Sequence, residues 1–380
     1  MNKFAYLKCV KCGQTFPLDK GPLTCPNHSP YYGYLGIFYD YSNINGFREP
    51  DGHVWSKYLP LLPISKYRIH LNEKKTPLIK AERYGKTVGI SNLWIKDESK
   101  NPTGSFKDRE SIVAINMALE LGINDLLTVS SGNAAVSTSA YAQKAGLTSI
   151  CLVPKNLSVG KRILLSLYGA KIRFVGGDYE QIYRQVIDHS DSAWNVTPGL
   201  NPYKEEGVKS LGFEIWEELG VPDLIVVPCG NGTLLWAVFK AFWELKILGK
   251  INNLPRMIGV QISGAAPLAR AFSQKQEFVV LESAPDSIAE GIIARESYSS
   301  PKVMQILKMI VGEIIEISEL ELKKALKEII TDESIIPEPT SAAAFAGLKK
   351  LTGIENKTVV VVNTASGVKN LKEIMESYIK

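Results

Sequence analysis

The 380 residues predict an α/β fold built on open parallel sheets. Short apolar strands alternate with helical segments from about residue 126 to 248, and two glycine-containing turns, 130–134 and 228–233, each follow a strand and open a helix. Alternation of this kind places covering helices between parallel strands, with ligands at the strand C-terminal ends. The composition, 45% hydrophobic and 22% charged, is that of a globular chain long enough for two or three domains.

Taken in order, Cys9-x-x-Cys12 and, after a twelve-residue spacer, Cys25-x-x-His28 put four soft or borderline ligands on two tight knuckles. That pairing suits tetrahedral zinc, with structural zinc and a metal-free turn as the two readings. No fifth acid or base accompanies these ligands, so catalytic zinc is not expected. The five cysteines are too few and too uneven for a disulfide framework. A formal charge of +5 biases the chain mildly toward anionic small molecules and makes no case for nucleic acid. No apolar run reaches membrane-spanning length, and Met1-Asn2-Lys3-Phe4-Ala5-Tyr6 lacks the hydrophobic core of a secretion signal, so the expected location is cytoplasmic.

Residues Tyr31 to Tyr67, rich in tyrosine, glycine and proline, read as an ordered arm packed on the main body. Leu93 to Lys96 is a strand leading into Asn101-Pro102-Thr103-Gly104-Ser105-Phe106-Lys107-Asp108-Arg109. Pro102 and Gly104 forbid regular structure there, Ser105 can cap a helix, and Ile112, Ile115, Ala118 and Leu119 keep an apolar face at helical spacing. Lys107 therefore falls in a first helical turn, beside unsatisfied backbone N–H groups that favour an anionic ligand and an uncharged, nucleophilic amine. A solvated lysine after a loop is the plainer alternative.

Strands follow at 126–129, 149–153, 171–175 and 223–227, with helices at 134–144, 158–168, 179–189, 207–219 and about 234–248. Ser130-Ser131-Gly132-Asn133-Ala134 can offer backbone N–H groups to a carboxylate, although an isolated turn of this composition is common. Pro228-Cys229-Gly230-Asn231-Gly232-Thr233 is small enough for its backbone to wrap a phosphate at a helix start. Cys229 reads as a small buried apolar residue. Near the C-terminus, the buried-type strand Val359 to Val362 delivers Asn363-Thr364-Ala365-Ser366-Gly367-Val368-Lys369.

The string Lys96 to Arg109 resembles the lysine segment of the fold type II pyridoxal-phosphate enzymes, and most of all that of threonine synthase, matching at every position from Asn101 to Arg109. The resemblance runs from about Thr76 to Lys369 and, more loosely, through the N-terminal knuckles. It implies two open parallel-sheet domains with the active site in their cleft, and a small zinc-ribbon-like segment in front. The implied boundaries are 1–30 for the ribbon, 31–104 with 191–380 for the large cofactor-binding domain, and 105–190 for the small domain. Pyridoxal phosphate bound covalently to Lys107 is the implied cofactor. By the same match Asn133 contacts its ring hydroxyl, Gly230, Asn231, Gly232 and Thr233 take its phosphate, and Thr364 meets its pyridine nitrogen, with Ser366 as competitor. Ser131, Gly132 and Ala134 line a substrate carboxylate, and Glu338-Pro339-Thr340-Ser341 forms cleft wall.

The implied function is elimination or replacement on a small anionic amino acid, as in conversion of O-phosphohomoserine to threonine and phosphate. Departures bear on the substrate. Ala134 stands where the family has threonine, Leu234 where it has asparagine, and Lys204, after Pro198-Gly199-Leu200-Asn201-Pro202, where it has arginine. Lys204 supplies a point charge without a bidentate fork. Chemistry at the β carbon of O-phosphoserine, serine or threonine, as in the cysteate synthases, is therefore an alternative. A catalytically silent cofactor-binding paralogue is a third reading. His28 also departs from the family, which closes the second knuckle with cysteine. A homodimer is compatible with the resemblance; nucleic acid and membrane partners are not expected.

Overall fold

The structure, a computed structural model, describes all residues except 131, 156–158, 189–192, 311 and 380, and for 159 and 376–379 the backbone alone. It divides into two units, Met1–Lys74 with Lys107–Ser210 and Lys75–Phe106 with Leu211–Lys380. In chain order, β1 (Ala5–Cys9), β2 (Thr15–Phe16) and β3 (Leu35–Tyr39) open the first unit, and β4 (Leu78–Lys80), α1 (Glu82–Val88) and β5 (Asn92–Asp97) open the second. The first unit resumes with α2 (Lys107–Leu121), β6 (Asp125–Val129), α3 (Asn133–Ala145), β7 (Thr148–Pro154), α4 (Val159–Leu167), β8 (Lys171–Val175), α5 (Tyr179–Asp188), β9 (Trp194–Asn195) and the start of α6 (Pro202–Leu219). The second continues with β10 (Leu224–Pro228), α7 (Thr233–Ile247), β11 (Arg256–Ile262), α8 (Pro267–Ser273), α9 (Ser300–Met309), β12 (Glu313–Ile317), α10 (Glu319–Glu333), α11 (Pro339–Leu348), β13 (Thr358–Asn363) and α12 (Leu371–Ile379).

In the first unit β8-β7-β6-β9 form a parallel sheet, and β2-β1-β3 a separate antiparallel one. In the second unit the order is β12-β11-β10-β13-β5-β4, parallel except for the edge strand β4. Val359, Val360, Val361 and Val362 on β13 are all fully buried, as befits a central parallel strand covered on both faces. On one face lies α11, whose run Ala342, Ala343, Ala344 and Phe345 packs into the same core as Val359 and Val361.

Most elements lie within two residues of their sequence-based positions. The exception is α6, which starts at Pro202 and not at 207. Proline is compatible with a first helical position, where no backbone N–H is required, and Asn201 Oδ1 accepts the Tyr203 N–H at 3.0 Å. The expected helix ends at Ser158 and His189 fall outside the described residues.

Residues 31–74, expected with the large domain, instead group with residues 107–210. The reason is a set of polar ties inside the first unit. Asn116 Oδ1 on α2 accepts the Arg68 and Ile69 N–H groups at 2.6 and 3.1 Å. Tyr39 OH donates to Glu206 on α6 at 2.5 Å, and Lys209 Nζ donates to the Leu61 carbonyl at 2.7 Å. Trp55 of the arm is buried with the Arg109 guanidinium 4.6 Å over its ring.

Candidate active site

Lys107 is the first residue of α2. The loop that precedes it belongs to the second unit and is held there by the chain that follows β13. Phe106 N–H donates to the Thr364 carbonyl at 2.9 Å, Ser366 N–H to the Gly104 carbonyl at 2.9 Å, and Ser105 bridges Ala365. Lys369 Nζ adds a bond to the Thr103 carbonyl at 3.1 Å. Ser105, expected as a helix cap, instead buries a hydroxyl with no hydrogen-bond partner among the described residues.

Within the first unit, Lys107 meets a carboxylate. Its Nζ lies 2.6 Å from Glu110 Oε1, one helical turn on, where the sequence suggested only the positive end of a helix. The other oxygen of Glu110 lies 3.5 Å from Lys204 Nζ on α6, which also donates to Thr138 Oγ1 at 3.2 Å. Glu110 is fully buried and Lys204 is 1% exposed, whereas the Lys107 side chain is 16% exposed. Burial, with the nearby Lys107 charge, pushes the Lys204 amine down to about 8, against the pull of Glu110. Next to Lys107, Ser137 Oγ donates to Asp108 Oδ1 at 2.7 Å and lies 2.8 Å from Ser111 Oγ, joining the N-terminal halves of α2 and α3.

The start of α3 is therefore brought beside that of α2. Gly132 is its N-cap and carries no side-chain cap bond, Asn133 is half-buried at the helix start, and Ala134 is buried. Ser131 lies outside the described residues. Lys209 is engaged by Glu206 at 2.6 Å.

The second unit holds the other glycine turn. Gly232, with φ +89°, is the N-cap of α7 and offers no side-chain cap, which leaves the N–H groups of the first turn open to an anion. A Cβ on Gly232 would lie 2.5 Å from Val303 Cγ2, and one on Gly230 3.2 Å from the Gly291 carbonyl oxygen. The turn is fixed from outside. Ser297 Oγ donates to the Gly230 carbonyl at 2.6 Å, Ser299 N–H to the Asn231 carbonyl at 3.1 Å, and Thr233 Oγ1 lies 3.4 Å from Ser299 Oγ. Cys229 is buried as expected, and burial pushes its thiol up to about 12. Thr364 Oγ1 sits 2.7 Å from Ser341 Oγ, and neighbouring Thr340 Oγ1 accepts the Gly291 N–H at 3.1 Å. The start of α11 thus links Thr364 to the wall of the glycine turn within one unit. Ser366 Oγ is used locally, accepting the Val368 N–H at 3.4 Å.

Glu110, Ser297 and Ser299 were not singled out in the sequence, and Ser341 was expected only as cleft wall, not as the partner of Thr364. Only Glu110 carried a local signal, its i,i+3 spacing from Lys107 on a helix. Each unit by itself carries groups of the kind pyridoxal phosphate requires: an amine at a helix start in the first, and a glycine turn at an uncapped helix N-terminus in the second.

Two further clusters lie in the first unit. Ligand atoms of Cys9, Cys12, Cys25 and His28 all fall within 4.8 Å of one another, with Cys12 Sγ and Cys25 Sγ 3.8 Å apart. His28 Nε2 is buried with no hydrogen-bond partner among the described residues. His53, His70 and Glu73 also converge, but Glu73 already accepts from His53 Nε2 at 2.8 Å, from Leu71 N–H at 3.0 Å and from Tyr141 OH. Burial drives the Glu73 carboxyl up, yet those bonds together hold it below the usual range, as expected of a structural ion pair.

A family profile described as pyridoxal-phosphate dependent enzyme matches residues 69–365. The chain is 33% identical to the threonine synthase of Methanosarcina acetivorans, over 98% of its own length and 94% of that protein's. It is 34% identical to the threonine synthase of Methanocaldococcus jannaschii, over 96% and 92% respectively. Among solved structures it resembles the processed form of threonine deaminase isoform 2 from Solanum lycopersicum, with a TM-score of 0.68, 22% identity, and coverage of 80% of this chain and 83% of that one. Maize serine racemase is similar at a TM-score of 0.68 and 20% identity, over 80% and 93%. No helix among the described residues is long and apolar enough to cross a membrane. Sequence, fold and comparisons agree that the chain belongs to the pyridoxal-phosphate dependent enzyme family, in its threonine synthase-like branch.

Proposed function

We propose that the chain converts O-phosphohomoserine to threonine and phosphate, with Lys107 as the residue that carries pyridoxal phosphate. One observation supports this above the others: the lysine string matched in sequence stands at the start of α2, in a chain one third identical to threonine synthases over nearly their whole length. When bound, pyridoxal phosphate supplies an electron sink for bonds at the α carbon of an amino acid.

The chain's own residues have the following proposed roles. Gly230, Asn231, Gly232 and Thr233 hold the cofactor phosphate on backbone N–H groups at the start of α7, where the helix dipole favours the anion. Asn133 donates to the ring oxygen, and Thr364 meets the pyridine nitrogen with a hydroxyl that Ser341 orients. A hydroxyl there does not hold the nitrogen protonated as a carboxylate would, which suits elimination and replacement. The backbone of Gly132 and Ala134 at the start of α3 takes the substrate carboxylate, with Ser131 expected beside them from the sequence match. Lys107 Nζ would hold the cofactor and move the α proton as a general base and acid. Lys204, whose ammonium is committed to Glu110 and Thr138, adds positive charge here without a direct bond to substrate.

The test is incubation of the holoenzyme with O-phosphohomoserine, following phosphate release and threonine formation; both are expected, and both should vanish in Lys107→Ala along with the visible cofactor band. A second reading, β-chemistry on O-phosphoserine, serine or threonine, is favoured by the apolar Ala134 and Leu234, each buried where the resemblance places polar donors. Turnover of those compounds with silence toward O-phosphohomoserine would select it.

We also propose structural zinc on Cys9, Cys12, Cys25 and His28. The 3.8 Å sulfur separation and the unpartnered His28 nitrogen support it, since zinc–sulfur bonds of about 2.3 Å set at tetrahedral angles give nearly that spacing. Metal analysis of purified protein should find one zinc per chain, and none in a Cys9→Ser, Cys12→Ser variant; a metal-free wild type with an intact fold would overturn the assignment.

A further inference from the structure

We propose that Glu110 is a positioning residue for Lys107, and that Lys204 is the counter-charge which keeps Glu110 in that role whatever the state of the lysine nitrogen. The proposal rests on Lys107 being the cofactor lysine. Its physical basis is one buried carboxylate shared between two lysines. Oε1 lies 2.6 Å from Lys107 Nζ and Oε2 lies 3.5 Å from Lys204 Nζ. A carboxylate sealed from water needs a cation or donor on each oxygen, because a buried charge left unpaired is strongly unfavourable. With Lys107 alone as partner, Glu110 would lose its counter-charge each time the Lys107 nitrogen became neutral or entered a covalent bond. Lys204 removes that dependence. It approaches from α6, is itself anchored by Thr138 on α3, and is 1% exposed, so water does not substitute for it.

The arrangement also directs the Lys107 amine. A charge-assisted bond at 2.6 Å restricts a four-carbon side chain that would otherwise sample many rotamers. The surrounding ionisable groups have other partners. Asp108 accepts from Ser137 at 2.7 Å, Arg109 Nη1 donates to Ser210 at 2.8 Å, and the buried Cys151 thiol, driven up by desolvation, lies on β7 among Ser139 and Ser149. Glu110 is thus the carboxylate bonded to the Lys107 nitrogen on α2, and Lys204 the cation that faces it from α6.

The test compares wild type with Glu110→Gln, which keeps shape and removes charge, and with Lys204→Met. One readout is the pH midpoint of the visible band of the lysine-bound cofactor. A nearby carboxylate favours a positive nitrogen, so Glu110→Gln should lower the midpoint by about one unit or more. Lys204→Met, which leaves the carboxylate to Lys107 alone, should raise it. The second readout needs no cofactor: reductive methylation of Lys107 in the apoprotein at fixed pH, followed by mass spectrometry, should be several-fold faster in Glu110→Gln than in wild type and slower in Lys204→Met. Circular dichroism establishes that each variant is folded, and if Glu110→Gln is not, the direction of the Lys204→Met shifts decides alone. Unchanged midpoints and labelling rates, or shifts of the same sign in both variants, would overturn the proposal. A wild type that shows no visible band with pyridoxal phosphate would instead defeat the functional reading on which it rests.

Discussion

Gly207 shows how closely the start of α2 is fitted. A Cβ built on it would lie 1.8 Å from the Arg109 carbonyl oxygen and 2.7 Å from its carbon, so α6 rests directly on the backbone two residues beyond Lys107. Gly207→Ala should therefore lower stability by about 1–3 kcal/mol, the usual range for overpacking, read from urea denaturation. Because the strain falls on the turn that carries Lys107, cofactor affinity should fall with it; an alanine variant equal to wild type in both would mean that the helices part freely. Lys204 carries a pH signature of its own. Its folded-state value of about 8 lies below its ordinary 10.5, so between those values the unfolded chain binds more protons than the folded one. Stability from this group is lowest below pH 8 and rises through that window. The stability of Lys204→Met relative to wild type should accordingly decline from pH 8 to 10 in parallel denaturation curves, whereas a constant difference would show that the residue does not titrate in that range.

The glycine turn before α7 belongs to a helix start made to stay uncapped. Gly232 adopts φ +89°, which costs a residue with a Cβ about 1–2 kcal/mol, and Val303 occupies the space that a side chain would need. Gly232→Ala should weaken pyridoxal phosphate at least tenfold in an absorbance titration while leaving the fold in place. Undiminished affinity would remove this turn from the phosphate site. Elements of this kind were visible in the sequence because their determinants are local: strands as apolar runs, turns as glycine after them, helices as periodicity. The start of α6 was missed because Pro202 looks like a breaker until Asn201 is seen to cap the Tyr203 N–H. Strands β11 and β12 lay in sequence without a glycine turn to mark them, and their parallel pairing with β10 and with each other identifies them.

Both units contain parallel sheets with helices between successive strands, an arrangement that presents strand C-terminal ends and helix N-termini to ligands. A ligand that binds only the folded chain stabilises it by mass action, by about 2.7 kcal/mol at a hundredfold excess over its dissociation constant. Pyridoxal phosphate should therefore raise the melting midpoint of the cofactor-free protein in differential scanning fluorimetry, and by less in Lys107→Ala, which lacks the covalent link. A midpoint indifferent to the cofactor would contradict the assignment of the whole chain to this chemistry.

Short-range chemistry settled the α/β class, the position of Lys107 at a helix start, the two glycine turns and the four-ligand knuckles. Each depends on residues a few positions apart, whose backbone preferences and spacing act before any packing. Other features required distant segments to come into contact. Glu110 carries no signal of burial along the chain, and Lys204, expected as a charge toward substrate, becomes its buried partner only when α6 lies against α2. Ser341 gains meaning from Thr364, and residues 31–74 join α2 through Asn116 and α6 through Glu206 and not through any signal of their own. The cause is burial: removal from water turns a flexible surface charge into one that must be paired, and which partner meets it depends on how the helices and sheets pack.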